Sequence, residues 1–207
     1  DNIINKYLEN VTDTALGGIS ELEIRFGTRG IKSISKIDFD NVIQKLKSCG
    51  FNILNTNDYS LKIQNEFIDK KTGAIRESNV RVEINGIHNI QKYCNTNSLT
   101  IHNINPQFTQ KQTAIIDNNK IYPVNINDYN IKVSYQTEKN IKSYSPFAEG
   151  IKSSWEDNKK TFRYINRVSF IHNDFPIRVD MSIVKESKSK QIEYQFKGKK
   201  RTKMVYI

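Results

Sequence analysis

Residues 19–27 read Ile-Ser-Glu-Leu-Glu-Ile-Arg-Phe-Gly, and within them Glu21, Glu23 and Arg25 alternate with Leu22, Ile24 and Phe26. A period of two is the mark of a β-strand with one charged face and one apolar face. The pattern recurs in Val80-Arg81-Val82-Glu83-Ile84 and in Ile131-Lys132-Val133-Ser134-Tyr135-Gln136. It recurs again in residues 162–170, where Arg163 and Arg167 oppose Phe162, Tyr164, Val168 and Phe170. Residues 175–182 place Arg178, Asp180 and Ser182 against Ile177, Val179 and Met181. Five such strands predict an α+β, mainly β fold, in which an antiparallel sheet curls or closes into a barrel with a few helices outside it.

Helical spacing is confined to a few places. Ile3, Ile4, Tyr7, Leu8 and Val11 share one face of a short opening helix that ends near Gly17-Gly18. A second helix is predicted over Asp38 to Ser48, with Asp38 as cap, Phe39, Val42, Ile43 and Leu46 inward, and Gly50 as the stop. Phe51 to Leu54 and Tyr59 to Asp69 read as strands, and Ala74 to Ile84 returns from the turn Lys70-Lys71-Thr72-Gly73 as a hairpin partner. A short helix is predicted around Ile87 to Tyr93, followed by polar residues up to Asn105 without a clear assignment. Strands follow at Thr113 to Ile116, Ile121 to Val124 and Asn130 to Gln136, and residues 143–157 read as a loop with a helical turn. Thr161 to Ile171 and Phe175 to Lys185 are the strongest strands, with a weaker one at Gln191 to Phe196.

The 207 residues are read as a single domain, 37% hydrophobic and 26% charged, with 10 Tyr and 10 Phe. The net charge of +10 draws the molecule towards polyanions such as nucleic acid, nucleotides or an acidic membrane surface. No apolar run approaches a membrane span and no signal peptide is evident, so a soluble, intracellular chain is expected. Cys49 and Cys94 lie in no metal-binding or disulfide spacing and are expected as small buried side chains.

The chemistry rests on the charged faces. Carboxylates at i and i+2 stand about 7 Å apart along a strand, within reach of one hydrated Mg²⁺ or Mn²⁺; an acidic pair of this kind equally serves as a plain solvated face. Arg163 and Arg167 make a ladder suited to successive phosphates, or a solvated basic face. Arg178 and Asp180 can pair with each other. Arg81, Glu83, Lys132 and Gln136 extend the set, while Lys185 sits on the other parity and joins it only through a bend or bulge. If the sheet closes with these faces inward, a metal on Glu21 and Glu23 would bridge phosphate oxygens while Arg and Lys offset charge on the transferred phosphoryl group, with water attacking.

Together, ELEIRFG from Glu21, VRVEI from Val80, GIHNIQKYC from Gly86, SSWEDNKKTFRYINRVSF from Ser153 and FPIRVDMSIVKES from Phe175 resemble one family. It is the RNA triphosphatase domain of mRNA capping enzymes from large nucleocytoplasmic DNA viruses, within the triphosphate tunnel metalloenzyme superfamily, and the likeness runs from Ile19 to about Lys188. The resemblance implies an eight-stranded antiparallel tunnel that hydrolyses the γ-phosphate of 5′-triphosphate RNA with Mg²⁺ or Mn²⁺. It implies that Glu21 and Glu23 are the metal-binding pair, Arg163 and Arg167 the phosphate-binding strand, and Arg178 with Asp180 the Arg-x-Asp strand. Arg81, Lys132 and Lys185 would be further phosphate contacts, and the catalytic set Glu21, Glu23, Arg163, Arg167 and Asp180. Fusion to or association with guanylyltransferase and methyltransferase domains, and a virion or host-cytoplasm location, are implied as well.

The family's second Glu-x-Glu strand is not found. Gln191-Ile192-Glu193 is a poor substitute, so that strand is expected beyond Ile207, or Glu193 acts alone, and activity of these residues by themselves is in question. No Lys-x-Asp-Gly guanylyltransferase motif is present, which puts the next capping step elsewhere. His88, His102 and His172 read as surface or turn residues, Trp155 as core, and Lys197 to Arg201 as a solvated charge run. Two other functions fit the same faces: a non-catalytic module binding RNA or single strands, and a small-molecule triphosphatase. A pure binder gains nothing from Glu21 and Glu23 among its basic strands.

Overall fold

A computed structural model describes residues 2–12, 18–26, 34–69 and 71–187, with the backbone of 202–206; Gln191 to Phe196 and Lys197 to Arg201 lie outside the described residues. The helices are α1 (Asn2–Asn10), α2 (Lys36–Ser48), α3 (Ile87–Thr96) and α4 (Pro146–Ser153). The strands are β1 (Ile19–Phe26), β2 (Asn52–Ile68), β3 (Ile75–Glu77), β4 (Val80–Asn85), β5 (Gln107–Thr113), β6 (Ile115–Ile116), β7 (Asn119–Lys120), β8 (Val124–Ile126), β9 (Ile131–Ile141), β10 (Lys160–Ile171), β11 (Arg178–Ser187) and β12 (Thr202–Tyr206).

All ladders are antiparallel, and the main sheet runs β1-β9-β5-β4-β2-β10-β11-β12, with β3 added to β2 and β8 to β9. Among the described residues it curls into a half-barrel and does not close. Closure would need the outer edges of the first and last strands to meet; among the described residues β1 pairs only with β9, and β12 pairs only with Ile183 to Ser187 of β11. Of the two forms expected, a curled sheet or a closed barrel, the described residues form the curled sheet, and the closed eight-stranded barrel is corrected to an open one.

Three apolar clusters lie on one face of this sheet, each under its own helices. Leu22, Val133 and Tyr135 pack with Ile3 and Tyr7 of α1. Leu61, Ile63, Val82, Phe108 and Phe162 meet Ile90 and Tyr93 of α3, Ala148 and Ile151 of α4, and Trp155. Val168, Phe170, Met181 and Ile183 meet Phe39, Ile43 and Leu46 of α2. The strand period alone sorts these residues to one side.

Local chemistry explains where the elements begin and end. Ser35, not Asp38, caps α2: its hydroxyl accepts from the Asp38 amide at 3.1 Å, and Asp38 accepts from the Ser35 amide, completing a capping box. Ser145 caps α4 and Pro146 supplies its first turn, so the expected loop holds a true helix. The Phe51–Leu54 and Tyr59–Asp69 strands are one, β2, bent at a register irregularity where Asn57 takes φ 57°. The return strand is broken at Ser78, whose amide donates to the Asn65 carbonyl and whose hydroxyl accepts from the Val80 amide. Just before β1, a Cβ on Gly18 would come within 2.8 Å of the Glu138 carbonyl oxygen on β9. Cys49 and Cys94 are exposed, contrary to expectation, because one ends α2 and the other lies on the outer side of α3.

Phe162 is fully buried beneath α3 and α4, whereas Phe147 is more than half exposed on α4. Phe162→Ala is expected to cost ~3–5 kcal/mol in urea unfolding and Phe147→Ala under ~0.5 kcal/mol. Lys160 is also fully buried, its ammonium 5.0 Å from the Trp155 ring centroid and donating to the Asn158 carbonyl at 2.7 Å. Burial pushes its pKa down to about 8 from 10.5, against an upward pull from Glu156 and Asp157. Between those values the unfolded chain holds more protons than the folded one, so stability rises with pH. Unfolding measured from about pH 8 to 10.5 should show that rise, and Lys160→Met should flatten it.

Candidate functional site

The face opposite the three clusters has no helix packed on it among the described residues, and most of its rungs carry polar or charged groups. At one edge Glu21 lies opposite Gln136, Glu23 opposite Ser134, and Arg25 opposite Lys132. Lys111 of β5 reaches across β9 to this edge, its Nζ 2.6 Å from Glu21 Oε2 and 3.4 Å from Glu23 Oε2. Arg25 Nε lies 3.5 Å from Glu23. One ammonium thus draws both carboxylates together.

In the middle, Lys62 of β2 stands opposite Glu83 of β4 on one side and Arg163 of β10 on the other. Its Nζ is 3.3 Å from Glu83 Oε2. Arg81 on the same face lies 3.7 Å from Glu138 and 3.9 Å from Glu83, and Arg163 lies 3.4 Å from Glu186. Burial lowers the Lys62 pKa below the ordinary lysine value; Glu83 pulls it back up while Arg81 and Arg167 push it further down. The Lys62 side chain is only 13% exposed, although no helix among the described residues covers it.

Further along, Asp180 of β11 gathers two guanidiniums. Its Oδ2 lies 3.2 Å from Arg167 and 2.9 Å from Arg178, and its Oδ1 accepts from Ser169 at 2.7 Å. Arg167 also donates to Ser182 at 3.3 Å. Asp180 is therefore a positioning residue for two arginines. Between the Arg163 and Arg167 rungs, Ile165 and Val184 face each other and are buried, giving the cations an apolar floor that strengthens their fields.

The sheet thus brings Glu21, Glu23, Arg81, Lys132, Arg163, Arg167, Arg178 and Asp180 onto one face. It does not bring Lys185: that residue pairs with Tyr164, and the β10–β11 register runs without a bulge, so its side chain stands on the helix side. Sequence reasoning missed Lys62, Lys111 and Glu138. Lys62 was visible in the alternation Ser60-Leu61-Lys62-Ile63-Gln64, whereas Lys111 sits in Gln-Phe-Thr-Gln-Lys-Gln-Thr, too polar to announce a strand. Glu193 lies outside the described residues.

The acidic pair fits a hard divalent cation in its donor chemistry. Both ligands are carboxylates, and the buried Glu21 Oε2 has the Lys111 ammonium 2.6 Å away, the position a cation would take. They supply two ligands only. Among the described residues no group of three or more His, Cys, Asp or Glu could hold a metal.

No protein-family model matches the chain, and no curated protein matches it. Solved structures do. The RNA triphosphatase domain of a trifunctional mimivirus mRNA capping enzyme superposes with a TM-score of 0.59 at 16% identity, over 99% of this chain and 84% of that one. Two further structures of the mimivirus capping enzyme triphosphatase give TM-scores of 0.55 and 0.54 at 18% and 19% identity. These cover 98% and 90% of this chain, and 85% and 80% of theirs. With its curled antiparallel sheet, helices on one face and charges on the other, the chain has the fold of the mimivirus capping-enzyme RNA triphosphatase domain.

Proposed function

We propose that this chain is a divalent-metal-dependent RNA triphosphatase that removes the γ-phosphate from a 5′-triphosphate RNA end, the first step of mRNA cap formation. The observation that carries the reading is the juxtaposition of an acidic pair, Glu21 and Glu23, with arginines of β4, β10 and β11 on one uncovered face of the sheet. The shared fold with a capping-enzyme RNA triphosphatase supports it. That neighbour is a domain of a trifunctional enzyme, which fits a diphosphate product passed to the next capping step on another domain or chain.

Arg81, Arg163 and Arg167 bind oxygens of the phosphate chain, with Lys132 and Arg178 at the two ends of the face. Guanidiniums suit this because their planar forks meet two oxygens at once. Asp180 holds Arg167 and Arg178 in place, so less side-chain entropy is lost when they bind. Ile165 and Val184 keep water from beneath them. Glu21 and Glu23 would hold Mg²⁺ or Mn²⁺, which when bound supplies a Lewis acid for a phosphoryl oxygen. A water oxygen attacks the γ-phosphorus, the bond to the β–γ bridging oxygen breaks, and inorganic phosphate and a 5′-diphosphate RNA leave with release of a proton.

Glu21→Gln and Glu23→Gln are each expected to lower Mn²⁺-dependent phosphate release from 5′-triphosphate RNA by roughly 10²-fold or more, with circular dichroism unchanged. Near-normal turnover in either variant removes the metal assignment. Asp180→Asn should raise KM more than it lowers kcat, since it frees two phosphate-binding arginines; a change in kcat alone would give Asp180 a direct chemical role instead.

A further inference from the structure

We infer that Lys62 is a further phosphate ligand of this site, gripping the phosphate chain from the centre of the sheet. The inference rests on the reading that the charged face takes a triphosphate. β2 lies between β4 and β10, and position 62 is in register with Glu83 on one neighbour and Arg163 on the other. Lys62 therefore stands between Arg81 of β4 and the Arg163 and Arg167 pair of β10, so its ammonium links cations that would otherwise act from separate strands.

As a structural element the residue is poorly placed. Its side chain is largely buried, its ammonium feels both Arg81 and Arg167, and its carboxylate partner at 3.3 Å, Glu83, is shared with Arg81. Burying an amine among guanidiniums costs free energy that one shared carboxylate offsets only in part. A polyphosphate adds to that offset, because it brings several negative charges and many acceptor oxygens to one place. An ammonium with three rotatable donors also meets oxygens at angles that the planar guanidiniums cannot.

The experiment uses inorganic tripolyphosphate as the probe, titrated calorimetrically into the whole chain. Lys62→Met is expected to weaken its binding roughly ten-fold or more, the loss of one charge-assisted contact, and Lys62→Arg to restore most of it. Glu83→Gln should leave binding unchanged or tighter, since it frees the ammonium. In the unmodified protein, tripolyphosphate should slow acetylation of Lys62 read by peptide mass spectrometry, a measurement that depends on no variant folding. Wild-type affinity in Lys62→Met, unaltered acetylation, or equal weakening by Glu83→Gln overturns the inference. If Arg167→Ala loses affinity while Lys62→Met does not, the inference alone falls; if the wild type binds no tripolyphosphate, the proposed function falls with it.

Discussion

A β-strand shows successive side chains to opposite sides, and the rest of this molecule depends on that constraint. Seven strands along the path from β1 to β11 keep their apolar residues in step, so Leu22, Val133, Phe108, Val82, Leu61, Phe162 and Met181 all reach the same side. Helices then have one surface to cover, and they cover it. The polar residues of the same strands are left together on the other surface without any local instruction to gather there. A charged site of this breadth follows from the packing of hydrocarbon behind it.

The charged face is balanced pair by pair: Lys111 with Glu21 and Glu23, Lys62 with Glu83, Arg81 with Glu138, Arg163 with Glu186, Arg167 and Arg178 with Asp180. Exposed pairs of this kind contribute little to stability, and half-buried ones roughly break even against their desolvation. The fold draws its stability from the opposite side. The charged side is thereby free to exchange partners when a polyanion arrives, since breaking one pair to form another costs little.

Much of this was legible in the residues, because alternation is a local signal. β1, β4, β10 and β11 and the charged residues they place on one face could be read one strand at a time, as could α2 and α3. What escaped was set by neighbours in space. β5 carries Gln, Thr and Lys, and only its pairing with β4 and β9 makes it a strand, which is why Lys111 was missed. Whether the sheet closes depends on the meeting of its first and last strands, which no single stretch encodes. Lys185 could be excluded only by a register free of bulges. The capping role of Ser35 was hidden because Asp38, three residues on, is an equally good cap by composition.

The close approach of Gly18 to the Glu138 carbonyl bears on more than a local fit. Position 18 leads directly into the acid-bearing strand, and with only a hydrogen as side chain it lets that strand lie against β9 in one alignment. A displacement by a single residue would send both carboxylates to the side occupied by α1 and expose Leu22 in their place. The acidic edge of the charged face is thus aligned through an atom that glycine lacks, at a position bearing no charge. A side chain there would misalign the charged face while leaving every charged residue of it in the sequence.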